Sequence, residues 1–319
     1  MNPETKELIT KVFLFLYPVV LFLGATGNIF SFIIFSREKF RKTSFSLYFR
    51  VLAFSDSLSL LYSINDVSVG LFDQEIANSS YSLCKCLMYF QYSIGPTSAW
   101  LLVVVSLDRM LSIIKPNKYL FLKKTKNQAT ICFIIISYSL IYYSPVIIFK
   151  DYEIQGNLSE NSTEFVYQCS NSKKFKIVDW MDLFNSTIFP FLLMSTSTFV
   201  TVSRLFKSRA KTMIKSKLSS SSSKQKQRDV RFAVTSAFLN GFFIVLNFPI
   251  CAFFLTMEFF YLDLDVVNLN LIFYCILFFF YLNFAVVFYV NLVTNSMFRN
   301  ELLVFLRFRK ASGPNDSTL

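Results

Sequence analysis

Long stretches of nearly unbroken apolar residues alternate with short polar segments along the whole chain. The apolar stretches cover roughly residues 12–36, 45–72, 85–115, 127–149, 180–206, 231–258 and 266–293. A helix needs about 20 predominantly apolar residues to cross the hydrocarbon core of a bilayer, and each of these is long enough. The pattern predicts an all-α membrane protein, a seven-transmembrane helix bundle within residues 1–310 followed by a tail at 311–319. A shorter element is expected at 296–309, where Phe298, Leu302 and Phe305 share a stripe and Arg299, Arg307 and Arg309 are available to headgroups. That is the pattern of an amphipathic helix lying in the membrane surface. The run KSKLSSSSSKQKQRD between spans five and six has no apolar period and is expected to be disordered, with serines open to phosphorylation.

Composition agrees with the pattern: 54% of the 319 residues are hydrophobic, 40 are Phe, and 16% are charged. A soluble domain usually carries about 25% charged residues. The net charge of +12 is not spread evenly, because 23 of the 32 Lys and Arg fall in 37–44, 115–126, 204–231 and the segment from 299, against 7 on the opposite face. Basic residues near span ends are retained on the cytoplasmic side, so the N-terminus is expected outside. The same asymmetry accounts for the net charge without nucleic acid as a partner. The sequons at Asn78, Asn157 and Asn161 all fall on the expected outer side as glycosylation acceptors, whereas the one at Asn315 falls in the tail. MNPETKELITK is too polar for a signal peptide, and the first span is expected to insert as its own anchor. Cys132, Cys251 and Cys275 lie within spans, and Cys84, Cys86 and Cys169 at or near the outer face, an odd number that leaves one thiol over.

Polar residues inside the spans carry the candidate chemistry, since a charged side chain at mid-membrane costs about 2.5–3.5 kcal/mol on insertion scales. They include Asn28 in span one, Asp56 in span two, Ser98 in span three and Asn283 in span seven. VVVSLDRMLSIIKP sets Asp108 beside Arg109 after an apolar run. Pro96, Pro190 and Pro249 mark bends in spans three, five and six. There is no His in the chain and no paired Asp or Ser–Lys set at one depth, so no catalytic chemistry is expected. No internal repeat of the kind that builds transporters is visible.

Taken in order, these residues resemble the rhodopsin-like (class A) G-protein-coupled receptors across all seven spans. The matching motifs are Gly27–Asn28, Leu52–Ala53 with Asp56, and Cys84 with Asp108–Arg109 and Pro116. Cys169, Phe243 with Pro249, and Phe298–Arg299 complete the set. The departures mark a divergent member, similar to invertebrate neuropeptide receptors. Met110 follows Asp-Arg, Asn247 stands where span six usually has Trp, and Val287 to Asn291 replace Asn-Pro-x-x-Tyr.

The resemblance implies a disulfide from Cys84 to Cys169 over the pocket, with Cys86 as the alternative partner. It implies a switch in which Asp108 and Asp229 compete for Arg109 and the helix bearing Pro249 swings outward. Asp56, Ser98 and Asn283, with Asn28 nearby, match positions that hold Na+ in many members, the alternative being a plain hydrogen-bonded carboxylate. No other cofactor is implied. Gln91, five turns or about 27 Å above Arg109, is placed in the ligand pocket with Asn247 and Tyr281. Gln in place of an amine receptor's Asp argues against an amine, and Tyr281 in place of the opsin lysine argues against retinal. Acids toward the outer end, Asp66, Asp73, Glu75, Asp263 and Asp265, suit steering of a basic peptide. The implied function is transduction from an extracellular ligand, a neuropeptide before other classes, to a heterotrimeric G protein at the plasma membrane. Arrestin and a receptor kinase are the further implied partners. The alternatives are a receptor for a non-peptide small molecule or odorant and, further off, a transporter or channel.

Overall fold

The computed structural model describes residues 3–41, 43, 45–72, 76–114, 124–159, 162–214, 220–259 and 266–308. Several sequence expectations concern residues outside this set: Pro116, the sequon at Asn161, the acids Asp73, Glu75, Asp263 and Asp265, Arg309, and the 311–319 tail. The side chains of Asp66, Asn157 and Asp229 are likewise outside it.

Among the described residues the chain forms seven helical columns. They are α1 (Pro3–Ser36), α3 (Ser46–Phe72), α4 (Tyr81–Ile114), and α5 (Thr125–Tyr142) continued by α6 (Pro145–Phe149). The next is α7 (Phe175–Asp182), which runs through a π-helical turn at Leu183–Ile188 into α8 (Phe189–Ile214). Then come α9 (Ser220–Phe259) and α10 (Val266–Thr294). A short α2 (Glu38–Arg41) and the final α11 (Ser296–Phe305) lie at one end of the bundle. Central in the packing is α4, which touches α3, α5, α8 and α9, while α1 closes the ring against α3 and α10.

Six columns are long and apolar enough to cross a membrane, and the chain is a multi-pass membrane protein. The exception is α3, where Arg50, Asp56 and several serines lower the mean hydropathy. It is lodged against α1, α4, α5 and α10, and its Ser46, Ser55, Asp56, Ser59 and Ser63 are buried. Outward positions carry large apolar side chains such as Phe133 (71% exposed) and Phe199 (73%), as a lipid-facing surface requires.

Close approach of α1 to its neighbours depends on glycine. A methyl group at Gly24 would stand 2.5 Å from Leu60 Cδ1 and 2.9 Å from Ala285 Cβ. Small residues permit such backbone proximity where lipid supplies no hydrophobic drive for helix association.

Two findings differ from the sequence reading. The segment between the fourth and fifth columns is a β-hairpin, β1 (Lys150–Ser159) paired antiparallel with β2 (Ser162–Asn171), in the register Lys150↔Asn171 and Tyr152↔Cys169. The Ser-rich run, expected to be disordered, is helical from Ser220 onward because α9 extends unbroken from its apolar part into KQKQRD. Lys, Gln and Arg are good helix formers, and a helix already nucleated by packing propagates at little cost.

At the other end of the bundle from the hairpin, the Asn295 side chain caps α11 by accepting from Met297 N at 3.1 Å and Phe298 N at 3.2 Å. The helix ends at Phe305, with Arg307 at φ 62° and Phe308 N donating to Leu303 O at 2.9 Å. Phe298 and Leu302, the leading residues of its apolar stripe, are buried in the bundle core, and Phe305 is half-exposed. Glu301 accepts from Arg37 Nε at 2.8 Å and Lys39 Nζ at 2.6 Å, tying α11 to the segment after α1. Burial pushes the Glu301 carboxyl up, but the hydrogen bonds from Lys39 and Arg37 outweigh it and leave it below its ordinary value.

Candidate functional site

Cys84, in the first turn of α4, is bonded to Cys169 of β2, with their Cα atoms 5.7 Å apart. Cys86, two residues on, is an exposed free thiol. The bridge holds the hairpin against the end of α4. Asn78, in the 3₁₀ turn Ile76–Ser79, fastens it further by accepting from Cys169 N at 2.7 Å through Oδ1 and from Tyr152 Oη at 2.9 Å through its carbonyl. Asn157 lies in β1 opposite Glu164.

At this end the helices part around a cavity of about 420 Å³. Gln91, Asn247 and Tyr281 all line it. Gln91 comes from α4, Asn247 from α9 and Tyr281 from α10, so sequence-distant positions converge on one space. Much of the wall is aromatic, with Tyr62, Tyr92, Phe254, Phe273, Tyr274 and Phe280 among its residues. Gln91 Oε1 is buried with no hydrogen-bond partner among the described residues. Asn247, two residues before Pro249, donates to Phe243 O at 2.8 Å one turn back along its own helix.

The cavity also holds a carboxylate that the sequence reading did not place there, Asp182 at the end of α7. Tyr143 Oη donates to Asp182 Oδ1 at 2.8 Å and itself receives Asn185 Nδ2 at 3.1 Å. Asn185 Oδ1 accepts from Tyr138 Oη at 2.7 Å and Trp100 Nε1 at 3.1 Å. This network joins α4, α5 and the π turn. The turn lies just ahead of Pro190: Phe189 N bonds back five residues to Phe184 O, and Pro190 has no N–H to give. The signal in the sequence was an Asp within an apolar span near a proline, which calls for a partner or a function by itself.

Deeper in the bundle, Asp56 is buried and its Oδ2 has no hydrogen-bond partner among the described residues. Ser98 faces this carboxylate and donates to Ser55 Oγ at 2.9 Å. Asn28 Nδ2 donates to Phe284 O at 3.0 Å, and its Oδ1 is unpartnered in the same set. Asn283 lines the large cavity. Of the four polar-core residues, Asp56 and Ser98 come together, Asn28 joins α1 to α10, and Asn283 borders the cavity above. Oxygen atoms are therefore present for a hard cation at Asp56, among them Asp56 Oδ2 and the hydroxyl of buried Ser59, both without a partner among the described residues.

Toward the end of the bundle that carries α11, Asp108 and Arg109 form an ion pair, both buried at 2% and 4% exposure. The guanidinium lies 4.6 Å from the centroid of Phe45 and 5.8 Å from that of Phe232. Those rings are themselves 4.1 Å apart, which joins the start of α3 to α9. Beside them, Ser106 Oγ donates to Asn240 Oδ1 at 3.0 Å, and Asn240 Nδ2 to Thr198 Oγ1 at 2.5 Å, linking α4, α9 and α8. Asp229 lies on α9 three residues before Phe232. The aromatic environment of Arg109 was not read from the sequence, because Phe is so common that no single ring stood out.

In Val287–Asn291, Val287, Phe288, Val290 and Asn291 face inward and are buried. Tyr289 turns away and donates to Leu23 O at 3.2 Å, so its hydroxyl is engaged with α1.

A family model described as 7 transmembrane receptor (rhodopsin family) matches residues 27–295. No curated protein matches the chain. The matched region runs from the last part of α1 to the end of α10 and includes both ends of the site, and the chain belongs to the rhodopsin family of seven-transmembrane receptors.

Proposed function

We propose that this rhodopsin-family chain, a signalling receptor and not an enzyme, couples an extracellular peptide to a heterotrimeric G protein at the plasma membrane. In this reading the N-terminus and hairpin are outside, and the Arg109 end, with the Lys- and Arg-rich segments, is cytoplasmic. The single observation that carries the reading is the pairing of a lined cavity at one end with a closed Arg109 cluster at the other. A peptide is favoured because the cavity lies at the end of the bundle that carries the two-stranded hairpin, and because Gln91 in its wall is neutral.

The mechanism is a population shift. Ligand binds better to the state in which α9 moves outward, which parts Phe232 from Phe45 and frees Arg109 to face the G protein. Asp229 competes with Asp108 for Arg109 in the resting state, and Pro249 supplies the bend about which α9 moves. Na+ at Asp56, held with Ser98, would neutralise the buried carboxylate and favour that resting state. A receptor kinase phosphorylates the Ser-rich segment and arrestin binds the phosphorylated form. Asn78, Asn157 and Asn161 carry glycans on the outer face.

A second reading, a non-peptide small molecule, draws on the largely aromatic wall of the cavity. Screening cells that express the chain against an amidated-peptide library and a small-molecule library, with nucleotide exchange on G proteins as the readout, separates the two. Responses confined to peptides support the first reading. Responses confined to small molecules overturn it in favour of the second.

A further inference from the structure

We propose that Asp182 anchors a positively charged group of the ligand, an ammonium or a guanidinium, inside the cavity; this rests on reading that cavity as the ligand site. Among the described residues that line it, Asp182 is the only one with a formal charge. The rest of the wall is apolar, aromatic or neutral polar.

The neighbouring acid has a different situation. Asp179, one turn earlier on α7, accepts from Tyr92 Oη at 3.0 Å and has the Lys150 ammonium as a nearby opposite charge. Lys150 itself lies over the Phe175 ring, 5.1 Å from its centroid, and donates to Asn171 Oδ1 at 2.6 Å. Asp179 borders a separate groove with Lys176 and Trp180. Asp182 is served by neutral hydroxyls, Tyr143 at 2.8 Å and Ser186, and the charge that acts on it is the like charge of Asp179. Neutral donors offset only part of the cost of removing a carboxylate from water, and a cation offsets far more.

Two further properties of the cavity favour a cation. Tyr and Phe faces attract ammonium and guanidinium groups through the ring quadrupole, and Tyr92, Phe254 and Tyr274 supply such faces. Gln91 lines the same cavity, and its buried Oε1 has no partner among the described residues, so it has hydrogen-bonding capacity to spare. An anionic ligand group would meet no basic residue among those lining the wall. Tyr143, held by Asn185, positions the carboxylate, so the anchor is built into the contact of α5 with the π turn rather than carried on a loop.

The cation has two possible sources, a basic residue of a peptide or a small organic amine. The test uses the purified full chain in lipid nanodiscs, with thermal stabilisation by added probe as the readout. The probes are N-acetyl-phenylalanyl-arginine amide, its neutral citrulline counterpart, and phenethylamine. Stabilisation by the arginine probe but not the citrulline one is the expected result. Asp182→Asn should weaken the arginine probe by about thirtyfold or more, the loss typical of removing one partner of a desolvated charge pair. Asp182→Glu should retain binding, and Asp179→Asn should leave it within a few fold. If phenethylamine alone stabilises, and does so through Asp182, the anchor stands and the peptide reading falls. If the citrulline probe stabilises as well as the arginine probe, the anchor falls and the peptide reading stands. Absence of stabilisation by either cationic probe overturns the anchor as well. The comparison of probes on the unmodified chain holds even where a variant fails to fold.

Discussion

Arg109 rests over Phe45, with its guanidinium carbon 4.6 Å from the ring centroid, while Asp108 pairs with it from the adjacent position. The charge at this end is thus held by a neighbour on its own helix and by a ring from the start of α3. Phe232 of α9 packs at a tilt against that same ring, so the position of α9 is coupled to Arg109 through aromatic contact.

Phe232→Ala and Phe45→Ala should therefore raise ligand-independent nucleotide exchange. An aromatic pair contributes about 1 kcal/mol beyond its area burial, and removing that from the closed state alone enlarges a minor open population about fivefold. Basal exchange measured at equal surface expression checks this, and a value equal to the parent chain's removes the aromatic latch. Asp229→Ala tests the proposed competition for Arg109 separately: no rise in basal exchange eliminates Asp229 from the switch while leaving the latch intact.

Cys84→Ser and Cys169→Ser should lower stability and surface expression to the same degree, and the double variant should be no worse than either. The bridge closes a separation of 85 residues, worth up to about 4.5 kcal/mol in a chain-entropy treatment, less in a membrane where the helices are already inserted. Cys86→Ser should be silent, because that thiol is free and exposed. A loss for Cys86→Ser comparable with that for Cys84→Ser would contradict the pairing.

Asn185→Ala should destabilise the chain without opening the Arg109 end. It removes the partner of the Trp100 and Tyr138 donors, which are only partly buried, and strands the oxygen of buried Tyr143, the last at about 1–3 kcal/mol. The melting temperature of the purified chain reads this directly. An unchanged melting temperature would show that water takes over the network.

Glu301 gives the pH prediction. Its folded value lies below its ordinary value of 4.5, so its contribution is present in full above about that pH and is lost as pH falls through the lower folded value. Glu301→Gln should lower the melting temperature near neutral pH, and the gap to the parent chain should narrow on acidification below about pH 4.5. A gap that stays constant through that range would dissociate Arg37 and Lys39 from the stability of α11.

Much of the bundle was legible in the chain because lipid imposes a simple rule: every backbone polar group in it must be bonded internally, so an apolar run of sufficient length is a helix. The columns accordingly lie where the apolar stretches are, α3 among them, although Arg50, Asp56 and its serines lower its hydropathy. The hairpin was not legible, since YEIQGNLSENSTEFVYQC has a weak alternation and its pairing depends on the Cys84–Cys169 bridge and Asn78. Helix in the Ser-rich run was hidden for a different reason, that its nucleus lies in the packed part of α9.

For the site, the chain alone marks which polar residues need a partner: Asp56, Asp108 and Arg109 are charges in apolar runs, and desolvation makes each of them expensive wherever the chain folds. Spacing along a single helix likewise places Gln91 and Arg109 toward opposite ends of one column. What surrounds them follows from the folded bundle. Gln91, Asn247, Tyr281 and Asp182 reach one cavity from four segments, and Arg109 meets Phe45 and Phe232 across three. Helical periodicity specifies the face on which a side chain lies, whereas its neighbours depend on how the helices rotate and cross, which packing settles collectively.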